Sequence, residues 1–356
     1  MSNNNLKSLI KEFLQYCEVE RNLSQGTVKM YHLYLKEFNK FVERKLGHTP
    51  NQKDITKDLV SDYRVYLNRK PSSADHTKTL SKATQNCFLI ALRSFLKYVS
   101  VQKDMQSLDS EKITLAKTPD RIPKFLSGED LEILFSRVNI SKKSGLRDRA
   151  ILELLYSTGL RVSELTGLNK SNITKEVLSS REFGVIGKGR KARTVFLTDA
   201  SVYWLKRYLA IRNDDYKPLF IRYSGKYMDK NDKNGESLRI NPRSVQRMVK
   251  KYALKAGLAT NVTPHVLRHS FATNILKKGG DIRSVQELLG HSNIATTQIY
   301  THLTNKDLKE THKKFHNKSA PVKAGGAGRG KTDNNNNWIE NPWVLVLSIL
   351  FFSAVW

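Results

Sequence analysis

Apolar side chains recur every three or four residues through most of the first hundred positions, and this period commits the segment to helices. In "TVKMYHLYLKEFNKFV" Met30, Leu33, Tyr34, Phe38 and Val42 mark one face, and Ser24 stands where an N-cap belongs. "ATQNCFLIALRSFLKYV" repeats the pattern with Phe88, Leu92, Phe95 and Leu96, while lysines and arginines fill the other faces. Three or four such helices make a small bundle, expected over residues 1–105. The pattern then breaks. Residues 106–125 are polar and irregular and contain Pro119 and Pro123, the composition of an interdomain linker. Ser127, with Asp130 three residues on, forms a capping-box pattern ahead of "GEDLEILFSRV". A second, mainly helical domain is expected over 126–316.

The second domain contains one exception to helix. "REFGVIGKGRKARTVFL" alternates, passes through glycines and alternates again, which predicts a β-hairpin tipped by Lys188, Arg190, Lys191 and Arg193. "PLFIRYS" is expected to add a short strand, and residues 224–238 read as a lysine-rich loop. The fold class is therefore mainly α, α+β only through this small hairpin sheet. Residues 317–356 are of low complexity and then apolar from Trp343 to Trp356, fourteen residues that are too few to span a bilayer comfortably. An interfacial anchor, a docking peptide and a non-native extension are the three readings; the last is preferred, because nothing upstream prepares for a membrane.

The chain has 356 residues, enough for two cores, and 61 Lys+Arg against 33 Asp+Glu give a net charge of +28. Such a surplus repels itself unless a polyanion relieves it. Nucleic acid is the first candidate partner, a membrane surface the second and a merely solvated basic surface the third. Two cysteines, Cys17 and Cys87, support neither a disulfide framework nor a zinc site, and both lie in helix-like stretches as core filler. No basic-then-apolar leader opens the sequence, so a reducing, cytosolic setting is expected.

The chemistry concentrates in "TPHVLRHS". Thr263 caps a helix, Pro264 suits its first turn, and His265, Arg268 and His269 share a face by their three- and four-residue spacing. Histidines at i and i+4 can chelate zinc, but the intervening glutamate is missing and Arg268 would oppose the cation. A guanidinium fork beside an imidazole fits an anion better: a phosphate cradle with a proton donor. A satisfied core histidine beside a surface arginine is the plainer alternative. Upstream, "YSTGLRVSELTGL" places Arg161 at a helix start just after Gly159, with Glu164 on the same face. Downstream, "LLGHSNIATTQIYTHL" places His291 after a helix-ending Gly290 and leads to Tyr300.

Taken in order, R-x-x-E after "TGL", a lysine on a hairpin, H-x-x-R-H, "LLGHS" and a tyrosine nine residues after that histidine resemble the tyrosine recombinases of the phage-integrase type, most closely the Xer-like site-specific recombinases. The resemblance covers residues from about 1 to 316. It implies a helical, SAM-like core-binding domain and a catalytic domain that close as a C-shaped clamp around double-stranded DNA.

By that resemblance Arg161 and Arg268 hold the non-bridging oxygens of the scissile phosphate, His265 is the acid/base histidine and His291 bonds the phosphate. Lys188, with Lys191 as the alternative, protonates the leaving 5′ oxygen. Glu164 supports the site and Tyr300 is the nucleophile. Chemically, two guanidiniums neutralise growing phosphoryl charge, and the phenol needs a base or a cationic field before it can attack. The product is a covalent 3′-phosphotyrosine with a free 5′ hydroxyl, formed without metal, ATP or any other cofactor. Leu303, Leu308 and Phe315 mark a last helix, which the resemblance docks into a neighbouring protomer of a tetramer on two DNA sites, made with itself or a paralogue. Resolution of chromosome or plasmid dimers, in a cytoplasmic, nucleoid-associated protein, is the expected role. Integration or transposition of a mobile element, a type IB-like topoisomerase and an inactive DNA-binding protein are the alternatives.

Overall fold

The computed structural model describes residues 5–72, 75–118, 124–187, 191–224, 232–258 and 261–290. The chain divides into two compact units, Met1–Ile122 and Pro123–Trp356. Among the described residues no helix is long and apolar enough to cross a membrane. The apolar tail lies outside the described residues.

The first unit is built from α1 (Leu6–Val19), α2 (Gln25–Leu46), α3 (Lys57–Arg69) and α4 (Lys82–Val101). Ser24 caps α2 by accepting the Thr27 N–H, and Gly47 ends that helix in the left-handed region. Phe13, Leu35, Phe38, Tyr63, Leu67, Leu92 and Phe95 fill the core, with Phe13 edge-on to Phe95 at 5.7 Å. Each such side chain contributes about 1.5–3 kcal/mol by leaving water.

Two details of this unit differ from the sequence reading. The buried stripe of α2 runs through Leu35, Phe38 and Val42, whereas Met30 and Leu33 are 42% and 55% exposed. Apolar residues at 30, 31, 33, 34 and 35 leave the rotation of the helix open to periodicity alone. Cys17 is core filler as expected, but Cys87 is exposed, its thiol donating to the Ala83 carbonyl. The polar stretch after α4 is held to this unit as far as Ala116. Ile113 is buried, and the Asn86 side chain both donates to the Ala116 carbonyl and accepts its N–H.

The second unit contains α5 (Gly128–Ser136), α6 (Lys143–Thr158), α7 (Val162–Gly167), α8 (Lys175–Ser180), β1 (Glu182–Ile186), β2 (Ala192–Phe196), α9 (Asp199–Ala210), α10 (Pro242–Lys255), α11 (Pro264–Lys277) and α12 (Ile282–Leu289). Ser127 and Asp130 form the expected capping box on α5. Helix α6 is buried on all sides through Ala150, Ile151, Leu152, Leu154 and Leu155, which makes it the axis of the unit. It packs on α9 and α11. Its charged residues are compensated: Arg149 pairs with Glu153 at 2.7 Å and lies over the Trp204 ring at 4.7 Å.

β1 and β2 pair antiparallel from Glu182 opposite Phe196 to Ile186 opposite Ala192. The Ser157 hydroxyl ties this hairpin to α6, donating to the Phe196 carbonyl and accepting the Thr198 N–H. The expected third strand is absent from this sheet, which has two strands among the described residues. Leu219, Phe220 and Ile221 are buried in succession rather than alternately. Side chains take carbonyls that a strand would offer to a neighbour: Arg212 donates to Pro218 and Leu219, and Arg147 to Ile221.

Candidate active site

Arg161 is the N-cap residue of α7, placed there by the left-handed Gly159 that ends α6. Its backbone N–H donates to Glu164 Oε2 and its Nη1 to Oε1, both at 2.9 Å. The carboxylate thus fixes the backbone and the guanidinium together. Glu164 is buried, which alone would raise its pKa. Hydrogen bonds from Arg193 and from Arg161 outweigh that and hold it below the usual carboxylate range.

Arg268 sits in the first half of α11 and is only 3% exposed. Its Nη1 donates to the Gly159 carbonyl at 2.5 Å and its Nη2 to the Leu289 carbonyl at 2.7 Å. These acceptors end α6 and α12, and helix C-termini carry partial negative charge. Two helix ends therefore make a buried guanidinium tolerable and fix where it points. This excludes the plainer reading of Arg268 as a surface residue.

Thr263 caps α11 and Pro264 occupies its first turn, as the sequence indicates. His265 follows and is exposed. Partial desolvation and the charges of Arg268 and Arg161 keep it below the ordinary histidine pKa. It is therefore a neutral imidazole near pH 7, able to accept a proton. His269 stacks on it with ring centroids 6.1 Å apart, and burial, then the neighbouring His265 and Arg268, push its pKa down to about 4.

Arg161, His265 and Arg268 line one open cavity of about 630 Å³. The other wall comes from α10, whose Arg243, Gln246, Arg247 and Lys250 all face it. Those four are exposed, while Val245, Met248, Val249 and Tyr252 on the opposite face are buried. The result is a cationic trough with two anchored guanidiniums at its floor.

Sequence reasoning missed two contributors. The α10 stripe was legible in its i, i+3, i+4, i+7 spacing. Arg193, expected at the hairpin tip, lies inside β2 opposite Val185 with its side chain 7% exposed. Period-two alternation with buried Val195 could have placed it inward. Lys191 is exposed, and its carbonyl accepts the Gly187 N–H to close the hairpin. Lys188, His291 and Tyr300 lie outside the described residues.

Residues 124–307 match the model of the phage integrase family, and residues 10–103 match its N-terminal SAM-like domain. The chain belongs to the phage integrase family. It is a tyrosine-type site-specific DNA recombinase. Among relatives, the tyrosine recombinase XerD of Lacticaseibacillus casei is 34% identical over 317 residues, covering 87% of this chain and 99% of the relative. XerC of Escherichia coli is 34% identical over 310 residues, covering 86% and 95%. In fold this recombinase is similar to the XerH recombinase bound to its palindromic difH substrate, with a TM-score of 0.62 and 24% identity over 86% of this chain and 85% of that one. It is likewise similar to a lambda integrase tetramer bound to a Holliday junction, with a TM-score of 0.61 and 18% identity over 82% and 79%. The trough falls wholly within the segment matched by the phage integrase family model.

Proposed function

We propose that this recombinase cleaves and rejoins duplex DNA through a covalent 3′-phosphotyrosine on Tyr300, and that it resolves chromosome or plasmid dimers. The observation that carries the reading is the convergence of Arg161, Arg268 and a neutral His265 on one trough. A scissile phosphate in that trough meets two guanidiniums, which stabilise the charge that grows on its non-bridging oxygens. The Tyr300 oxygen forms a bond to phosphorus as the bond to the 5′ oxygen breaks. His265 takes the phenolic proton, and Lys188, or Lys191 beside it, gives one to the leaving 5′ oxygen. His291 adds a hydrogen bond to the phosphate, and Glu164 holds Arg161 in place. One phosphoester is exchanged for another, so the reaction runs back in the same site to rejoin the strand. The α10 cations hold the flanking backbone, the positioning part of recognition.

The XerC and XerD relatives favour dimer resolution over integration. The lambda integrase tetramer on a junction supports a tetramer on two DNA sites for this chain also. The test begins with selection of bound DNA from a genomic library of the host. A nicked suicide substrate built on the selected site should then trap wild-type protein covalently. Tyr300→Phe should trap none while binding the site with unchanged affinity. An adduct that persists in Tyr300→Phe would remove Tyr300 as nucleophile.

A further inference from the structure

One buried cation in the second unit is left over by the roles assigned above. Arg193 stands within β2, opposite Val185. Its Nη1 and Nη2 grip the two oxygens of Glu164 at 3.1 and 2.8 Å, and its Nε donates to the Leu288 carbonyl at 3.1 Å. Both partners of the ion pair are below 10% exposed, at 7% and 6%. A bidentate guanidinium–carboxylate pair of this kind fixes direction as well as distance.

The surroundings are shaped to this side chain. A Cβ on Gly290 would lie 2.8 Å from Arg193 Cδ, and Gly290 has φ +61 in addition. A Cβ on Gly187 would lie 3.1 Å from Arg193 Nη1 and 3.2 Å from Glu164 Oε1. Two glycines from distant parts of the chain thus leave room for one guanidinium. Gly187 is the residue before Lys188, Gly290 is the residue before His291, and Glu164 is the residue that grips Arg161.

We infer that Arg193 is a positioning residue for cleavage, a buried tie that sets Arg161, Gly187 and Gly290 in mutual register. It touches no DNA. It acts through Glu164 on Arg161, and through its packing on Gly187 and Gly290, the residues that precede Lys188 and His291 in the sequence. The inference rests on the proposed reading of the trough as the cleavage site. A misplacement of about 1 Å in such a constellation costs on the order of 100-fold in rate.

The test uses the full chain, the selected site and single-turnover cleavage of the suicide substrate, with DNA affinity and thermal unfolding measured in parallel. Wild-type cleavage through Tyr300 is the control for the underlying reading, so failure there is distinct from failure of this inference. Arg193→Ala is expected to bind DNA within about twofold of wild type and to cleave about 100-fold more slowly. Methylguanidinium should enter the space between the two glycines and restore at least about tenfold of the lost rate, with saturation, where methylammonium does not. A purely structural loss would show no such selectivity. Cleavage within about threefold of wild type, a rate lost only in proportion to DNA binding, or no selective rescue would overturn the inference. If Arg193→Ala does not fold, Arg193→Lys decides: it keeps the charge and loses the fork, so a folded variant should cleave about tenfold more slowly at unchanged affinity. Wild-type cleavage by Arg193→Lys would overturn the inference equally.

Discussion

At the scale of single residues, the site works by fixing charges before the phosphate arrives. Arg268 is held by two carbonyls and Arg161 by a carboxylate, so neither guanidinium needs to reorganise when phosphoryl charge develops. The same cations act on His265. Desolvation, then Arg268, then Arg161 lower its pKa from the ordinary value of 6.5. The neutral, proton-accepting form therefore persists to a lower pH than for a free histidine, and base function is lost only as pH falls through that depressed value. The acid limb of single-turnover cleavage should accordingly lie below pH 6.5 in wild type. Replacing Arg161 by Met, which removes one of the three causes, should move the limb upward within the residual rate. A wild-type limb at or above 6.5, or one unchanged in His265→Gln, would show that another group titrates.

At the scale of elements, α10 joins the core to the partner. One face buries Val245, Met248, Val249 and Tyr252, and the other turns Arg243, Gln246, Arg247 and Lys250 to the trough. Exposed lysines and arginines contribute to DNA affinity mainly through phosphates, with counterion release. Arg243→Ala, Arg247→Ala and Lys250→Ala should each weaken binding to all sequences alike and make the salt slope shallower by about one. Fluorescence titrations on site and random duplex at several salt concentrations would measure this, and a slope unchanged in all three variants would place α10 away from DNA. Elements of this kind were largely legible in the sequence, because caps and periods are local signals. Ser24, Ser127 and Thr263 cap the helices their positions indicate. What escaped depends on partners remote in sequence. Leu219 to Ile221 are held by Arg212 and Arg147 and by backbone bonds to Leu168 and Ile240, and the burial of Arg268 rests on the ends of α6 and α12. Arg193 was misread as a tip cation because the register of the hairpin, not its composition, decides which side each residue faces.

At the scale of the whole molecule, the charge balance says how much of binding is electrostatic. The buried acids are consumed in ion pairs: Glu164 with Arg161 and Arg193, Glu153 with Arg149, Asp148 with Arg147. These pairs leave the net surplus of +28 unchanged. Such a surplus favours a polyanion over long range but cannot by itself choose a site. Both family-matched segments are expected to contribute phosphate contacts. With about 6–10 of them, log K should fall with log salt at a slope of roughly −5 to −9. Tyr300→Phe should show the same slope, because a neutral phenol releases no counterion. The measurement is affinity for the selected site between about 0.1 and 0.3 M salt. A slope shallower than about −2 would mean that few cations meet phosphate, and the surplus charge would then need another partner.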